Sequence, residues 1–190
     1  MAFIPRKKLE DIGFCSLGQN VLISDKASIY NAANISIGNN VRIDDFCVLS
    51  AGYGGIKIGN YIHVAIYSSL IGAGKISLSN FVNISSRVSI YSSNDDYSGE
   101  SLTNPMVPNE FKNVESAGVK LCKHVIVGSG SIILPGVTIG EGVAIGALSL
   151  VSKDCEAFSI YYGQPAKKIK ERKRDILRLE KKLIELKGDM

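Results

Sequence analysis

Aliphatic residues recur at every sixth position along most of the chain. The longest unbroken series is Leu121, Val127, Ile133, Ile139, Ile145 and Val151. Four earlier series start at Leu17, Ile37, Ile58 and Leu78. A helix would require spacings of three and four, and a half-exposed strand a spacing of two. A period of six instead predicts a triangular solenoid, in which three six-residue units complete each turn of about 18 residues.

The residues between the aliphatic positions fit the corners of such a solenoid. Segments such as Ile37-Gly38-Asn39-Asn40 place glycine and asparagine where the chain must turn with unusual backbone angles. Coil starts at residues 17, 37, 58, 78, 121 and 139 predict six coils. Stacking these coils buries an aliphatic column that no single coil could bury alone. The fold class is therefore predicted to be an all-β solenoid.

Two segments depart from the period of six. Residues 93–118 interrupt it for 26 residues, and a loop of that length in a compact domain is usually functional or disordered. Its aromatic and turn-forming residues favour an ordered active-site loop inserted in a solenoid domain of residues 1–166. Residues 167–190 show helical spacing and predict a basic amphipathic helix. We expect this helix to pack on its own solenoid or a neighbouring subunit, in preference to a membrane surface.

Composition and charge exclude several classes of protein. Hydrophobic residues make up 45% and charged residues 21%, which is typical of a folded globular chain. No apolar run is long enough to cross a membrane, and the first residues lack a secretory signal, so we expect a cytoplasmic protein without membrane insertion. The net charge is +4, but residues 167–190 contribute +5, so the body is nearly neutral and no nucleic-acid partner is expected.

The four cysteines and two histidines do not form a recognisable metal or disulfide pattern. Cys15, Cys47, Cys122 and Cys155 are scattered without a C-x-x-C pair. Neither a disulfide framework nor a zinc site is indicated, and we expect no metal.

Three motifs after the repeats resemble a known family. They are Ile133-Leu-Pro-Gly-Val-Thr-Ile-Gly140, Ile145-Gly-Ala-Leu-Ser-Leu-Val-Ser-Lys153-Asp154 and Gly163-Gln-Pro-Ala-Lys167. With the repeats, they resemble the bacterial hexapeptide-repeat acetyltransferases, above all the maltose/galactoside-type O-acetyltransferases and the sugar acetyltransferases of surface-polysaccharide pathways. The resemblance covers residues 17–170. It implies a left-handed parallel β-helix, a homotrimer, and acetyl-CoA bound in the groove between neighbouring solenoids.

The resemblance also implies the residues that bind the cofactor. Small residues along the pantetheine arm and basic residues at the nucleotide end are expected at Ser129, Gly146, Ala147, Lys153, Pro165, Ala166 and Lys167. A structural explanation remains open for several of them. Hexapeptide corners require small residues in any case, and a lysine such as Lys153 is common in a solvated turn.

The expected catalytic residues depart from the family pattern. Asp95 occupies the position where maltose/galactoside-type relatives carry a histidine base. An aspartate ordinarily titrates near a pH of about 4 and is a weak base for a sugar hydroxyl, but it binds an ammonium group well. His63 is the alternative base, and His124 a less favoured one. The acceptor-binding candidates are Asn83, Asp96 and Tyr97.

These features favour an acetyl-CoA-dependent sugar acetyltransferase that transfers the acyl group directly. The loss of the histidine favours N-acetylation of a nucleotide-linked amino sugar for surface-polysaccharide synthesis, because an amine requires less help from a base than a hydroxyl does. One alternative is O-acetylation with His63 as base. Two others are a non-catalytic hexapeptide scaffold and, less favoured with only two histidines, a carbonic-anhydrase-like zinc protein. No cysteine has a basic partner in the sequence that would indicate a covalent acyl-cysteine.

Overall fold

The chain winds into a parallel β-helix with three flat faces. The structure is a computed structural model that describes residues 2–188. On the three faces, each strand except the final Lys167–Glu171 pairs in parallel with the equivalent strand of a neighbouring coil, about 20 residues away in the first coils and 18 in the last. The solenoid predicted from the six-residue period is therefore confirmed.

The three sheets are named face 1, face 2 and face 3 in the order in which the chain visits them. Face 1 contains the strands Ser16–Leu17, Ile35–Ile37, Ile56–Ile58, Ile76–Leu78, Val119–Leu121 and Thr138–Ile139. Face 2 contains Val21–Ile23, Val41–Ile43, Ile62–Val64, Asn83–Ile84, Ile126–Val127, Ala144–Ile145, Ser159–Tyr162 and Lys167–Glu171. Face 3 contains Ser28–Tyr30, Val48–Ala51, Ser69–Gly72, Ser89–Tyr91, Ile132–Ile133 and Leu150–Val151.

The core is the column of aliphatic side chains along the axis. On each face the strand residues alternate, as in Ile56–Ile58, where both isoleucines are buried and Lys57 between them is exposed. The positions assigned to the axis from the sequence are buried, except for Leu17 and Ile29 in the first coil, which are partly buried. That coil has a neighbour on one side only, so its inward residues are less covered.

The corners are built from residues with left-handed backbone conformation. Corner 1, between faces 1 and 2, carries Tyr61, Phe81 and His124, all with positive φ. Their rings stack with centroids 4.9 and 5.0 Å apart. Corner 2, between faces 2 and 3, carries Phe46 and Tyr67 in a similar stack at 5.0 Å. Ring stacking offsets part of the cost of holding bulky residues in this conformation.

The last coil extends further than the sequence indicated. Six coils are complete, as predicted, but a seventh is present on two faces. Cys155 forms a bridge to Ile139 on face 1, and Ser159–Tyr162 pairs with Ala144–Ile145 on face 2.

The C-terminal segment differs from the single helix predicted for residues 167–190. Lys167–Glu171 is a strand, paired antiparallel with Ser159–Tyr162. It covers the last open edge of face 2, and this pairing outweighs the local helical pattern because an exposed strand edge is costly. The helix runs from Asp175 to Gly188. Residues 189–190 of the predicted helix lie outside the described residues.

The C-terminal helix packs on corner 1 of its own solenoid. Its apolar residues Ile176 and Leu183 line one small cavity together with Phe81 and His124. Glu180 accepts hydrogen bonds from His124 Nε2 at 2.8 Å and from Lys123 Nζ at 2.6 Å. The helix therefore packs on its own solenoid, which is one of the two positions expected for it.

A short helix, Arg6–Asp11, covers the other end of the solenoid. Its Leu9 is buried in the core. Two other short helices, of the 3-10 type, are Ala32–Asn34 and Asn109–Phe111. Within the part of the chain described, no helix is long and apolar enough to cross a membrane.

We expect Glu180→Gln to weaken the docking of the C-terminal helix by about 1 kcal/mol. Burial raises the pKa of Glu180, but the bonds from Lys123 and His124 outweigh this, so its pKa lies below the ordinary 4.5. A carboxyl with a lowered pKa stabilises the fold above its ordinary value, and the stabilisation is lost as the pH falls through the lowered pKa. The melting temperature of Glu180→Gln should therefore lie below that of the unaltered protein at pH 7, and the difference between them should shrink in acid.

The matched control for this prediction is Glu185→Gln, an exposed acid on the same helix. Equal melting temperatures for Glu180→Gln and Glu185→Gln at pH 7 would contradict the anchoring role of Glu180.

Candidate active site

A groove lies on face 3 beneath the long loop. Two adjoining cavities of about 410 and 500 Å³ share Asn94 and Leu134. The outward side chains Tyr91 and Ile132 of face 3 line the smaller one, which we call the upper cavity. Ser152 lines the larger one, which we call the lower cavity. The groove therefore runs along face 3 from the fourth coil to the end of the sixth.

The loop forms the outer wall of this groove because its two ends are tied together. Ser93–Asn94 and Glu115–Ser116 pair as a two-stranded antiparallel sheet. Ser116 Oγ lies 2.8 Å from the hydroxyl of Tyr53, which belongs to the corner of an earlier coil. These contacts fix the base of the loop against the solenoid.

Two of the candidates predicted from the sequence line the groove, and a third does not. Asp95 and Tyr97 are exposed and line the upper cavity. Asp96, between them, is half-buried, and its Oδ1 accepts a hydrogen bond from the Ser98 N–H at 2.8 Å. Hydrogen bonds from Ser98 and Ser101 lower the pKa of Asp96. Asp96 is thus engaged within the loop.

His63 and Asn83 lie on face 2, away from the groove. They are register neighbours on adjacent strands. His63 Nε2 lies 2.8 Å from Asp44 Oδ2, and Asp44 Oδ1 accepts a hydrogen bond from Arg42 at 2.7 Å. Within one chain, the structure does not bring His63 and Asp95 together. His124 is held by Glu180 of the C-terminal helix, so its ring has a structural partner.

The cofactor candidates fall into two groups at either side of face 3. Ser129 and Ala147 are exposed and stacked at corner 2, one coil apart, with the Leu148 N–H bonded to the Ser129 carbonyl. Gly146, beside them, has both its backbone hydrogen-bonding groups and its Cα engaged in contacts within the solenoid. Its N–H donates to Tyr161, its carbonyl accepts from Ser131 and Ser149, and a Cβ added to it would lie 2.5 Å from the ring of Tyr162.

The second group lies at the C-terminal end of the groove. Lys153 is exposed and follows Ser152, which lines the lower cavity. Ala166 donates its N–H to the Leu150 carbonyl, so the segment containing Pro165 and Lys167 lies against the last strand of face 3. Lys153 and Lys167 are both exposed; Lys153 follows the last strand of face 3, and Lys167 begins the last strand of face 2.

The chemistry of the other side chains limits what the site can do. Burial raises the pKa of the Cys47 thiol to about 11 and that of Cys155 to about 12, so neither is a ready nucleophile. Among residues 2–188, no group of three or more histidine, cysteine or acidic side chains could hold a metal ion.

Comparison with known proteins places this arrangement in a family. The model described as "Bacterial transferase hexapeptide (six repeats)" matches residues 118–153. A dTDP-4-amino-4,6-dideoxy-D-glucose acyltransferase from Escherichia coli is 60% identical over 95% of this chain and 94% of its own length. The chain belongs to the hexapeptide-repeat acyltransferases. Its solenoid is the left-handed β-helix of that family.

Similar proteins have been solved with a dTDP nucleotide and coenzyme A or an acyl-CoA bound. AntD, an N-acyltransferase from Bacillus cereus, was solved with dTDP and 3-hydroxybutyryl-CoA. It is 51% identical, with a TM-score of 0.94 over 98% of each chain. A variant of AntD was solved with dTDP-4-amino-4,6-dideoxyglucose and coenzyme A, with a TM-score of 0.92 over 96% of this chain and 97% of its own. WbbJ of Escherichia coli, a putative lipopolysaccharide biosynthesis O-acetyl transferase, is 28% identical over 78% of this chain and 74% of its own length.

Tyr91 and Leu134 line the groove of this acyltransferase, and neither is among the residues predicted from the sequence. Tyr91 and Leu134 directly follow the inward residues Ile90 and Ile133. The six-residue period therefore marks both as outward-facing on face 3, and this signal was available. It does not show that the loop would fold over these two residues rather than over another face.

We expect His63→Asn to retain turnover within about threefold of the unaltered acyltransferase, because an amine acceptor does not depend on a general base and the His63 ring is already paired with Asp44. Loss of a general base would instead cost roughly 100- to 10,000-fold. Steady-state kinetics of thiol release from acyl-CoA would measure this. A loss of that size would restore His63 as the base.

Proposed function

We propose that this acyltransferase moves an acyl group from a coenzyme A thioester to the amino group of a dTDP-linked 4-amino-4,6-dideoxy sugar. The observation that carries the proposal is Asp95, an exposed carboxylate in the groove at the position where a histidine base was expected. The E. coli relative and AntD act on or bind this class of amino sugar, which supports the same acceptor here.

The transfer requires no covalent enzyme intermediate. The neutral amine attacks the thioester carbon, a C–N bond forms, and the C–S bond breaks. The sulfur leaves as thiolate and takes up the proton that the nitrogen loses, so the products are an amide and coenzyme A. Asp95 accepts a hydrogen bond from the amine and orients it, and backbone N–H groups stabilise the oxyanion. The raised pKa values of Cys47 and Cys155 support this direct route.

The cofactor is proposed to lie along face 3. Lys153 and Lys167 would meet its phosphates at one end of the groove, and the thioester would reach Asp95 at the other. Ser129 and Ala147 lie at corner 2, where face 3 meets face 2. They would contact the pantetheine arm of the cofactor at the point where a neighbouring subunit closes the groove. The acyl group that we expect is acetyl. Longer acyl chains should be tested as well, because AntD was solved with 3-hydroxybutyryl-CoA.

The location and pathway are part of the same proposal. All four cysteines are free, which supports a reducing compartment such as the cytoplasm. Likeness to WbbJ, a putative lipopolysaccharide enzyme, supports a role in surface-polysaccharide synthesis.

We also propose that the enzyme is a homotrimer that packs through corner 2. This corner and its edges expose large apolar side chains: Phe46 is 44% exposed, Tyr67 49%, Leu148 63% and Ile132 39%. Face 1, by contrast, presents Lys57, Ser77 and Lys120 in register. Exposed apolar patches of this kind usually mark protein interfaces. This packing would place face 2 of one subunit near face 3 of another.

We expect Leu148→Asp to convert the trimer to monomers, because a charge buried within an apolar interface cannot be solvated there. Light scattering should give three times the chain mass for the unaltered protein and for the control Lys57→Asp on face 1. A mass of a single chain for the unaltered protein would contradict the proposal.

We expect the enzyme to release thiol from acyl-CoA with dTDP-4-amino-4,6-dideoxyglucose and not with maltose or galactosides. Asp95→Asn should lower kcat/KM for the amino sugar by roughly 10- to 100-fold, because the carboxylate is the charged partner of the amine. Asp25→Asn, an exposed acid in the first coil, is the control. Turnover on neutral sugars alone would instead establish O-acetylation.

A further inference from the structure

Asp96 differs from its two neighbours in where its side chain lies. Asp95 and Tyr97 are exposed and line the groove, whereas Asp96 is half-buried. Its Oδ2 atom is shielded from solvent and has no hydrogen-bond partner among the described residues. Consecutive residues in an extended segment point in opposite directions, which accounts for this alternation. The carboxylate of Asp96 therefore faces the interior of the loop.

The Asp96 side chain closes a tight turn in the loop. Its Oδ1 accepts the Ser98 N–H at 2.8 Å, and Ser98 Oγ accepts the Glu100 N–H at 3.1 Å. An aspartate that bonds the backbone two residues ahead forms an Asx turn, which holds the chain without help from regular secondary structure. Hydrogen bonds from Ser98 and Ser101 also lower the pKa of this carboxyl, so it is ionised and a strong acceptor.

This turn spans a segment with few other supports. The antiparallel pair ends where Asn94 lies opposite Glu115, and the next contact across the loop is the bridge between Leu102 and Lys112. Between these two ties, the hydrogen bonds of the described residues are those that Asp96 accepts from Ser98 and Ser101 and the one that Ser98 accepts from Glu100. The direction in which Asp95 and Tyr97 leave the backbone thus depends on the turn that Asp96 closes.

We propose that Asp96 is a positioning residue that holds Asp95 and Tyr97 toward the acceptor by closing the 96–98 turn. The inference rests on the proposed function, since it needs an acceptor that Asp95 contacts. It replaces the expectation that Asp96 binds the acceptor itself. The two carboxylate oxygens of Asp96 are not accessible to the sugar, because Oδ1 is bonded to the Ser98 N–H and Oδ2 is shielded inside the loop.

The decisive comparison is between Asp96→Ala and Asp96→Asn. Alanine removes the acceptor of the Ser98 N–H, whereas the asparagine side-chain oxygen accepts the same bond without a charge. We expect Asp96→Ala to raise KM for dTDP-4-amino-4,6-dideoxyglucose roughly tenfold, with KM for acyl-CoA and the melting temperature unchanged. Asp96→Asn should restore the KM for the sugar nucleotide to nearly its original value. Glu110→Ala, at the far end of the same loop, is the matched control.

The same variants give a readout that does not depend on turnover. Hydrogen exchange at the Ser98 amide should be faster in Asp96→Ala than in the unaltered enzyme, and slow again in Asp96→Asn. Equal losses of activity in Asp96→Ala and Asp96→Asn would show that the charge itself contacts the amine, which would overturn the positioning role. Unchanged exchange in Asp96→Ala would overturn it as well.

Failure of the proposed function is a separate result. It would appear as no turnover of the amino sugar by the unaltered enzyme, whatever the exchange rates of the variants. In that case the positioning of an acceptor by this turn is refuted together with the function, even if exchange shows that the turn is closed by Asp96.

Discussion

Every coil of this protein depends on the coil next to it. A single coil cannot bury its inward side chains or pair its strand edges, so the solenoid is stable only as a stack. The two ends are therefore the weak points, and the chain covers both. Leu9 of the first helix lies in the core at one end, and the antiparallel strand Lys167–Glu171 covers face 2 at the other. The C-terminal helix then adds the contact between Glu180 and corner 1.

The same regularity explains why the site lies at the interruption of the repeat. In the regular coils, backbone groups are used by neighbouring coils, as Gly146 shows with both its N–H and its carbonyl. The 93–118 loop departs from the regular stack of coils and carries Asp95 and Tyr97 over face 3. Face 3 supplies a flat floor, and the loop supplies the groups proposed to contact the acceptor. A rigid scaffold with a tied loop is a common way to place such groups.

The chemistry of the groove agrees with an amine acceptor. A hydroxyl must lose its proton to a base as it attacks, whereas a neutral amine attacks directly and loses its proton afterwards. The exposed carboxylate Asp95 suits the second case. His63, which would suit the first, is bound to Asp44 on another face. Relatives that act on amino sugars share most of this chain's length, so the chemistry of the site and the comparisons point the same way.

The sequence by itself determined the solenoid, its inward residues, the position of the loop and the replacement of a histidine by Asp95. The first three follow from the six-residue period, and the last follows from the resemblance to the maltose/galactoside-type relatives. Tertiary structure alone decided that Lys167–Glu171 is a strand, that His124 meets Glu180 56 residues away, and that Asp96 turns from the groove. An open strand edge, a docked helix and the direction of a loop depend on contacts between distant segments. The six-residue period shows which residues point outward, but it does not show which distant segment those residues will contact.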